Sequence, residues 1–386
     1  MKIALVTKRV SYSKGGAEMV SANLLKEVAG KGHEIHVYTQ EADTDTEGAM
    51  VHRIRTVPWI SPLRLLSFRR KAARRIRDDG FDIVYALCHV YPVDIYRAGD
   101  GIHRHWMKVR YPNAAIRGMK YLTSLVHLAM RCLEGRLFQE GNCSLFITNS
   151  RLVREQIMEY FPVPSDRIAV IYNGVDHGLF HPDVKASREA TRRELRIGQD
   201  EIVLLFIANN WERKGLSTII EAMAASGNAQ VILLVVGRGK KAPYLSLAGR
   251  NGIDPRRLVF AGHAKDTRRY YGAADFFALP SMYEPFANVC LEAMACGMPV
   301  ITTKSNGSSE IVTVGHDGFL LDDWRDKASL TEFIGRLCDG SARLAMGENA
   351  ARTAKRYTWQ RHAEETEKVF RMVLDRKRQR QPFGDP

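Results

Sequence analysis

Two doubly wound, Rossmann-like α/β domains facing a cleft are the fold this sequence predicts, on three observations. Short apolar, β-branched runs alternate with longer helical patterns, the habit of parallel sheets covered on both faces. The runs fall into two sets, separated by a turn-rich break. At 386 residues, the chain also exceeds what one hydrophobic core ordinarily serves.

In the first set, strands are expected at 3–7, 35–39, 83–87, 145–148 and 168–172. The opening run Met1-Lys2-Ile3-Ala4-Leu5-Val6 passes straight into polar sequence, so it is expected as a buried strand and not as a signal peptide. The break lies at 173–182, where Asn173-Gly174, Gly178 and Pro182 leave no helical period. A charged surface helix is expected over 186–196, followed by strands at 202–207, 231–236, 258–261, 276–279 and 300–302. Near the end, 358–374 reads as an amphipathic helix with Trp359, Val369, Phe370 and Val373 supplying contacts, and the basic tail 376–380 is expected to fray. These boundaries give a first domain over 1–175, a second over 176–357, and a terminal helix, 358–376, that packs back on the first. Doubly wound sheets bind ligands beyond the carboxyl ends of their strands, so both domains are expected to turn those ends towards the cleft.

Composition narrows the function. Apolar residues at 45% and charged residues at 26% exclude a disordered or fibrous chain. No apolar run approaches the roughly 20 residues that span a bilayer. Six cysteines (Cys88, Cys132, Cys143, Cys290, Cys296 and Cys338) form no Cys-x-x-Cys pair and read as reduced cytosolic thiols. The net charge of +14 is concentrated: residues 51–150 hold 17 Lys/Arg against 7 Asp/Glu, and 53–77 has nine basic residues and no acid. Such a patch attracts nucleic acid, anionic lipid or a phosphorylated substrate. The arginine run has no interleaved aromatic residues and no recognisable binding module, so nucleic acid is not expected as a partner.

The most informative stretch is 281–300, Ser-Met-Tyr-Glu-Pro-Phe-Ala-Asn-Val-Cys-Leu-Glu-Ala-Met-Ala-Cys-Gly-Met-Pro-Val. A strand ends at Pro280, a loop follows, and a helix is expected from Ala287 or Asn288 to a stop at Gly297. The helix start would welcome a diphosphate. Glu284 precedes it, and Glu292 lies one turn beyond Asn288 on the same face. A carboxylate accepts hydrogen bonds from two adjacent sugar hydroxyls, so one could hold a hexose and the other a ribose. Upstream, the strand at 202–207 runs into Asn209-Asn210-Trp211-Glu212-Arg213-Lys214-Gly215, placing two cations where a diphosphate leaving group would suit them. Gly15-Gly16 would let backbone approach a ligand closely, but the spacing is not Gly-x-Gly-x-x-Gly, which counts against a nicotinamide cofactor. Arg97-Ala98-Gly99-Asp100-Gly101-Ile102-His103-Arg104-His105 brings a carboxylate and two imidazoles behind a strand of the first domain. Asp43-Thr44-Asp45 fits the Asp-x-Asp string of metal-dependent transferases, yet it sits in an acidic polar loop and is read as solvated.

Glutamate, seven residues and glutamate, within a loop carrying Pro285 and Phe286, resembles the signature of the retaining glycosyltransferases of family 4 (group 1), which have the GT-B fold. The resemblance implies that Glu284 contacts the C3 and C4 hydroxyls of the donor sugar and Glu292 the ribose. The backbone of Phe286, Ala287, Asn288 and Val289 would face sugar and phosphates, with Arg213 and Lys214 neutralising the departing nucleotide. Gly15, Gly16, Gly237 and Gly262 match the family around the donor. Asp100 would take the acceptor hydroxyl proton, or only orient it if the donor phosphate is the base, and His103 would touch the donor sugar. Asn173-Gly174-Val175-Asp176 and Asp317-Gly318-Phe319-Leu320 are further matches. One departure is Ser308, where the family commonly has a second glycine beside Gly307.

Gly15-Gly16, Gly99-Asp100-Gly101 and the basic first domain are together similar to the lipopolysaccharide core glucosyltransferases. This narrower likeness implies a hexosyltransferase, and no metal, cofactor or second subunit is expected. It would take a nucleoside-diphosphate sugar, UDP-glucose favoured, to a hydroxyl of a lipopolysaccharide core or other lipid-linked glycan. A GDP-mannose or other nucleotide-sugar transferase of capsule or exopolysaccharide synthesis is the alternative. The tract 64–77, with Leu65, Leu66, Phe68, Ala72, Ala73 and Ile76 among its arginines, is expected to lie on an anionic leaflet through Arg69, Arg70, Arg74 and Arg75. Residues 106–138 add cations beside apolar patches, which places the chain on the inner face of the cytoplasmic membrane.

Overall fold

The apolar runs become strands, and among the described residues the strands pair parallel, most of them joined through helices. The structure, a computed structural model, describes all residues outside 12–15, 43–45, 47, 57–60, 78 and 381–386. The chain divides into two compact units, Met1–Asn173 with Trp359–Pro386, and Gly174–Thr358.

The first unit holds a seven-stranded sheet in the order Ala49–Arg53, Glu34–Thr39, Lys2–Val6, Ile83–Ala86, Val93–Arg97, Cys143–Thr148, Ile168–Val170. Strands on one side of Lys2–Val6 follow it directly in sequence, and those on the other side come later. The winding therefore reverses between Lys2–Val6 and Ile83–Ala86, where a doubly wound sheet opens its binding crevice. Two of these strands escape the sequence pattern. Ala49–Arg53 is a sheet edge with Met50 and Val51 exposed, so it offers no apolar run. Val93–Arg97 is interrupted by Asp94, whose Oδ2 accepts from the Val84 amide at 2.8 Å.

Helix Ser61–Arg77 corrects one expectation. Phe68, Ala72 and Ile76 are buried in the first unit's own core, with Leu65, Leu66 and Ala73 packed against it. That apolar stripe is covered by protein, and what the helix offers outward is arginine. The terminal helix Trp359–Arg380 buries Val369, Phe370 and Val373 against the opposite face of the sheet, with Phe370 edge-on to Tyr85 at 5.3 Å. Its basic end does not fray before Arg380: Lys377 Nζ donates to Asp82 O at 2.8 Å and to Asp94 Oδ2 at 2.9 Å.

The second unit holds a six-stranded sheet in the order Leu258–Gly262, Val231–Val236, Ile202–Ile207, Phe276–Leu279, Val300–Thr303, Gly318–Leu321. Its reversal point lies between Ile202–Ile207 and Phe276–Leu279. Gly318–Leu321 was hidden from the pattern by its leading glycine, which the packing requires: a Cβ there would come within 2.2 Å of Val300 O. The charged helix expected over 186–196 forms as Arg188–Leu195, but it is no simple surface helix. Arg192 is fully buried, donating to the carbonyls of Ala273, Gly198, Gln199 and Glu201 at 2.9 Å each and to Asp275 Oδ2 at 2.8 Å.

Candidate active site

In the second unit, the loops leaving the two strands at the reversal point press together. Met282 N donates to Arg213 O at 2.8 Å, and a Cβ on Gly215 would lie 2.1 Å from Pro280 O, so this left-handed position (φ +78°) admits only glycine without rebuilding. The second loop is tied to the next strand through Asn306, which is fully buried. Its Oδ1 accepts from Ala287 N at 3.2 Å and Ser308 N at 3.1 Å, while Nδ2 donates to Thr302 Oγ1 at 2.9 Å. Glu284 N donates to Ser305 O at 3.0 Å and Gly307 N to Glu284 O at 2.9 Å, which fixes the backbone of the first signature glutamate. The departure at Ser308 thus falls beside a built anchor, and its backbone serves where the family has glycine.

The side chains converge on one carboxylate oxygen. Glu284 Oε2 accepts from Lys214 Nζ and lies 3.2 Å from Arg213 Nη2. Burial holds the Lys214 ammonium below its ordinary pKa, while Glu284 opposes the shift. Two cations and a carboxylate therefore meet beside the start of helix Asn288–Ala295, whose cap, Ala287, gives no side-chain oxygen to the first turn. A diphosphate entering here would find two positive side chains and a helix start. Glu292, on the next turn, is buried, and its Oε2 accepts from the Tyr271 hydroxyl at 2.8 Å. Burial pushes its carboxyl up to about 7 against the opposing pull of that hydrogen bond. Phe286, Ala287 and Asn288–Val289 form the loop end and first turn of the same helix.

The glycines divide into described and undescribed positions. Gly237 (φ +129°) sits where a Cβ would be 1.9 Å from Ala208 O, and its amide donates to Gly262 O at 2.7 Å, so crowding of the strand ends accounts for it. Gly262 also takes positive φ, +76°. Gly16 opens helix Gly16–Ala29; Gly15 lies outside the described residues, as does Asp43-Thr44-Asp45.

In the first unit, Asp100 is exposed in the turn after Val93–Arg97, and Gly101 (φ +76°) redirects the chain into helix His103–Arg110. That helix has no side-chain cap from Ile102. Glu134, on helix Leu125–Leu137, supplies one from a distance, accepting from His103 N and, at 3.2 Å, from Arg104 N. Burial pushes Glu134 up to about 7. The His103 ring lies 3.2 Å from His127 Nδ1 through its Nε2, and burial, with His127 beside it, pushes His103 down to about 4. His103 is consequently a neutral imidazole at physiological pH, able to share hydrogen bonds but not to act as a cation. His105 points elsewhere, edge-on to Tyr160 at 6.0 Å. Three partners escape a reading of the sequence: Tyr271, His127 and Glu134. For Glu134 a signal exists, the one acid of its helix, set between Leu133 and Leu137 on the buried face, and an uncapped helix start elsewhere in the same unit.

On helix Ser61–Arg77, Arg69, Arg70, Arg74 and Arg77 line a groove of about 480 Å³ with Tyr91, whose ring lies 4.3 Å from the Arg69 guanidinium. Arg75 is not part of it; its Nη1 donates to Arg53 O at 3.3 Å on the edge strand.

Known proteins resemble this chain in sequence and in fold. The family model for glycosyl transferases group 1 matches residues 201–339, and that for glycosyltransferase family 4 matches residues 14–179. The chain is 28% identical over 399 residues to the uncharacterized glycosyltransferase MJ1607 of Methanocaldococcus jannaschii, spanning 97% of this chain and 99% of that protein. It superposes on WaaG, a glycosyltransferase involved in lipopolysaccharide biosynthesis, with a TM-score of 0.79, 21% identity, and coverage of 95% of this chain and 99% of WaaG. Anabaena HepE in complex with UDP and glucose matches with a TM-score of 0.72 at 21% identity, over 96% of this chain and 99% of that one. With a doubly wound unit under each of the two family models, and GT-B structures matching along the chain, this protein belongs to the group 1, family 4 glycosyltransferases.

Proposed function

We propose that the chain is a retaining, metal-independent hexosyltransferase, moving a hexose from a nucleoside-diphosphate sugar, UDP-glucose first, to a hydroxyl of a lipopolysaccharide core or other lipid-linked glycan. The observation that carries this reading is the meeting of Arg213 and Lys214 with Glu284 beside the start of helix Asn288–Ala295. In transfer, the bond between the anomeric carbon and the diphosphate oxygen breaks and a bond to the acceptor oxygen forms on the same face. Negative charge gathers on the departing diphosphate, and two cations with the helix start stabilise it as it develops. The acceptor proton passes to that phosphate oxygen or to Asp100. Glu284 accepts from the C3 and C4 hydroxyls, Glu292 from the ribose, and neutral His103 contacts the sugar. UDP stands first because the structurally similar Anabaena protein holds UDP and glucose. A GDP-mannose-dependent transferase of capsule or exopolysaccharide synthesis would use the same phosphate contacts.

Thermal-shift measurements with UDP, GDP and ADP, alone and as sugar conjugates, test the reading. At a hundred times its Kd, a ligand adds about 2.7 kcal/mol of stability. One nucleotide should raise Tm in the parent chain and much less in Lys214→Ala; no shift with any of them would defeat the proposal.

The membrane contact is proposed on a surface other than the apolar stripe of Ser61–Arg77. Among the described residues no helix is long and apolar enough to cross a membrane. Helices Ala114–Thr123 and Leu125–Leu137 expose Ile116, Met119, Leu122, Leu125, Val126 and Leu128, with Leu122 at 82%. Arg117, Lys120 and Arg131 lie on the same two helices. Apolar tips beside cations suit an anionic leaflet, where each cation contributes about 1 kcal/mol. The double change Leu122→Asp, Leu125→Asp should release the protein from phosphatidylglycerol vesicles in a co-sedimentation assay, and undiminished sedimentation would remove this surface from the proposal.

A further inference from the structure

The pair Tyr271–Glu292 contains a hydroxyl that packing alone does not call for. Tyr271 is fully buried on helix Arg268–Ala273, its ring edge-on to Phe180 at 5.7 Å, a place phenylalanine would fill equally well. The hydroxyl instead reaches the helix that follows strand Phe276–Leu279, donating to Glu292 Oε2 at 2.8 Å, with Val289 O at 3.5 Å. The helices that precede and follow a central strand in sequence are thereby joined through the carboxylate expected to meet the nucleotide.

We infer that Tyr271 is a positioning residue for nucleotide binding, its hydroxyl fixing the Glu292 carboxylate so that the second oxygen is presented to a ribose hydroxyl. The inference rests on the reading of Glu292 as the ribose carboxylate. An unanchored glutamate has several rotamers open to it, and ordering it on binding would cost affinity. Burial holds the phenol well above its ordinary pKa, so it stays a donor throughout the working range. Its donated bond also favours the charged carboxylate, which is the better acceptor for ribose.

The sign follows from these directions. Glu292 is raised to about 7 with the tyrosine in place, and loss of the hydroxyl raises it further, since that bond is what lowers it. In Tyr271→Phe the carboxyl is therefore more protonated at neutral pH and regains its charge only at higher pH. Affinities of UDP, GDP and ADP, titrated by calorimetry from pH 6 to pH 9 in the parent, Tyr271→Phe and Glu292→Gln, provide the test. For the nucleotide that binds, Tyr271→Phe should weaken affinity roughly five- to tenfold at pH 7 and recover part of it by pH 9, the remaining loss being the cost of ordering the freed carboxylate, whereas Glu292→Gln should stay weak at both. A merely structural tyrosine would lower affinity alike at every pH. A Tyr271→Phe profile parallel to the parent's, alongside a weakened Glu292→Gln, overturns this inference alone. Parent-like affinity in Glu292→Gln overturns the ribose reading and this inference with it, leaving the phosphate contacts to be judged by Lys214→Ala. Both substitutions keep shape and volume, and an unchanged thermal transition without ligand confirms folding.

Discussion

Glu284→Gln should all but stop sugar transfer while tightening the free nucleoside diphosphate. In the chain without donor, Glu284 is the counter-ion of Arg213 and Lys214, both of which meet its Oε2. An incoming diphosphate must take those cations away from it, and so competes with a carboxylate of the protein itself. The amide removes that competitor and leaves two cations for the phosphates, so the Kd for the nucleoside diphosphate should fall several-fold. Transfer should suffer because hydrogen bonds from sugar hydroxyls to a charged acceptor contribute about 1.5–3 kcal/mol each. Two of them lost would lower kcat/KM at least about a hundredfold. Steady-state kinetics with the activated sugar and a titration with the bare nucleotide read the two halves separately. Weaker nucleotide binding in Glu284→Gln would mean that the carboxylate supports the cations rather than competing for them.

The largest loss of stability is expected at Asp275. It accepts from Arg192 at 2.8 Å, from Arg188 at 2.7 Å and from the Val203 amide at 2.7 Å. Asp275→Ala strands the fully buried Arg192 guanidinium without its charge partner and orphans the amide. Breaking a buried pair from one side costs about 3–5 kcal/mol. For a unit the size of Gly174–Thr358 that is a fall in Tm of roughly 6–20 °C. Asp275→Asn, which can still accept from Val203, should lose less. Calorimetric unfolding of the three chains checks the order, and a fall of under 2 °C in Asp275→Ala would show that Arg192 is held by its carbonyls alone.

What the sequence makes legible is local. Strands Ile202–Ile207, Val231–Val236 and Phe276–Leu279 form with the expected bounds because they are apolar at every position and buried throughout. Glu284, Glu292, Arg213 and Lys214 lie in or just beyond two loops that follow such strands directly, so the order of residues alone displays their neighbourhood. Contacts made across the chain are not displayed in this way. Tyr271 is 21 residues from Glu292, His127 is 24 from His103, and Glu134 is 31 from His103. The 61–77 stripe shows the opposite difficulty: its amphipathic period is plain, but a period says only that something covers Phe68, Ala72 and Ile76, not whether lipid or protein does. Likewise, Arg192 reads as one more charge on a solvated helix, because the helical period does not show that the turn just beyond it folds three carbonyls back onto the guanidinium or that Ala273 supplies a fourth.

The terminal helix carries a consequence for biosynthesis. Because Trp359–Arg380 completes the core of the first unit, that unit is assembled from both ends of the chain, with Gly174–Thr358 looped out between them. On the ribosome, the intervening unit is the first whose residues are all available, and it can close its sheet while the earlier-made half still exposes the surface that Val369, Phe370 and Val373 will cover. The order of maturation is thus the reverse of the order of synthesis, and a stalled or truncated chain would carry a finished second unit tethered to an unfinished first unit.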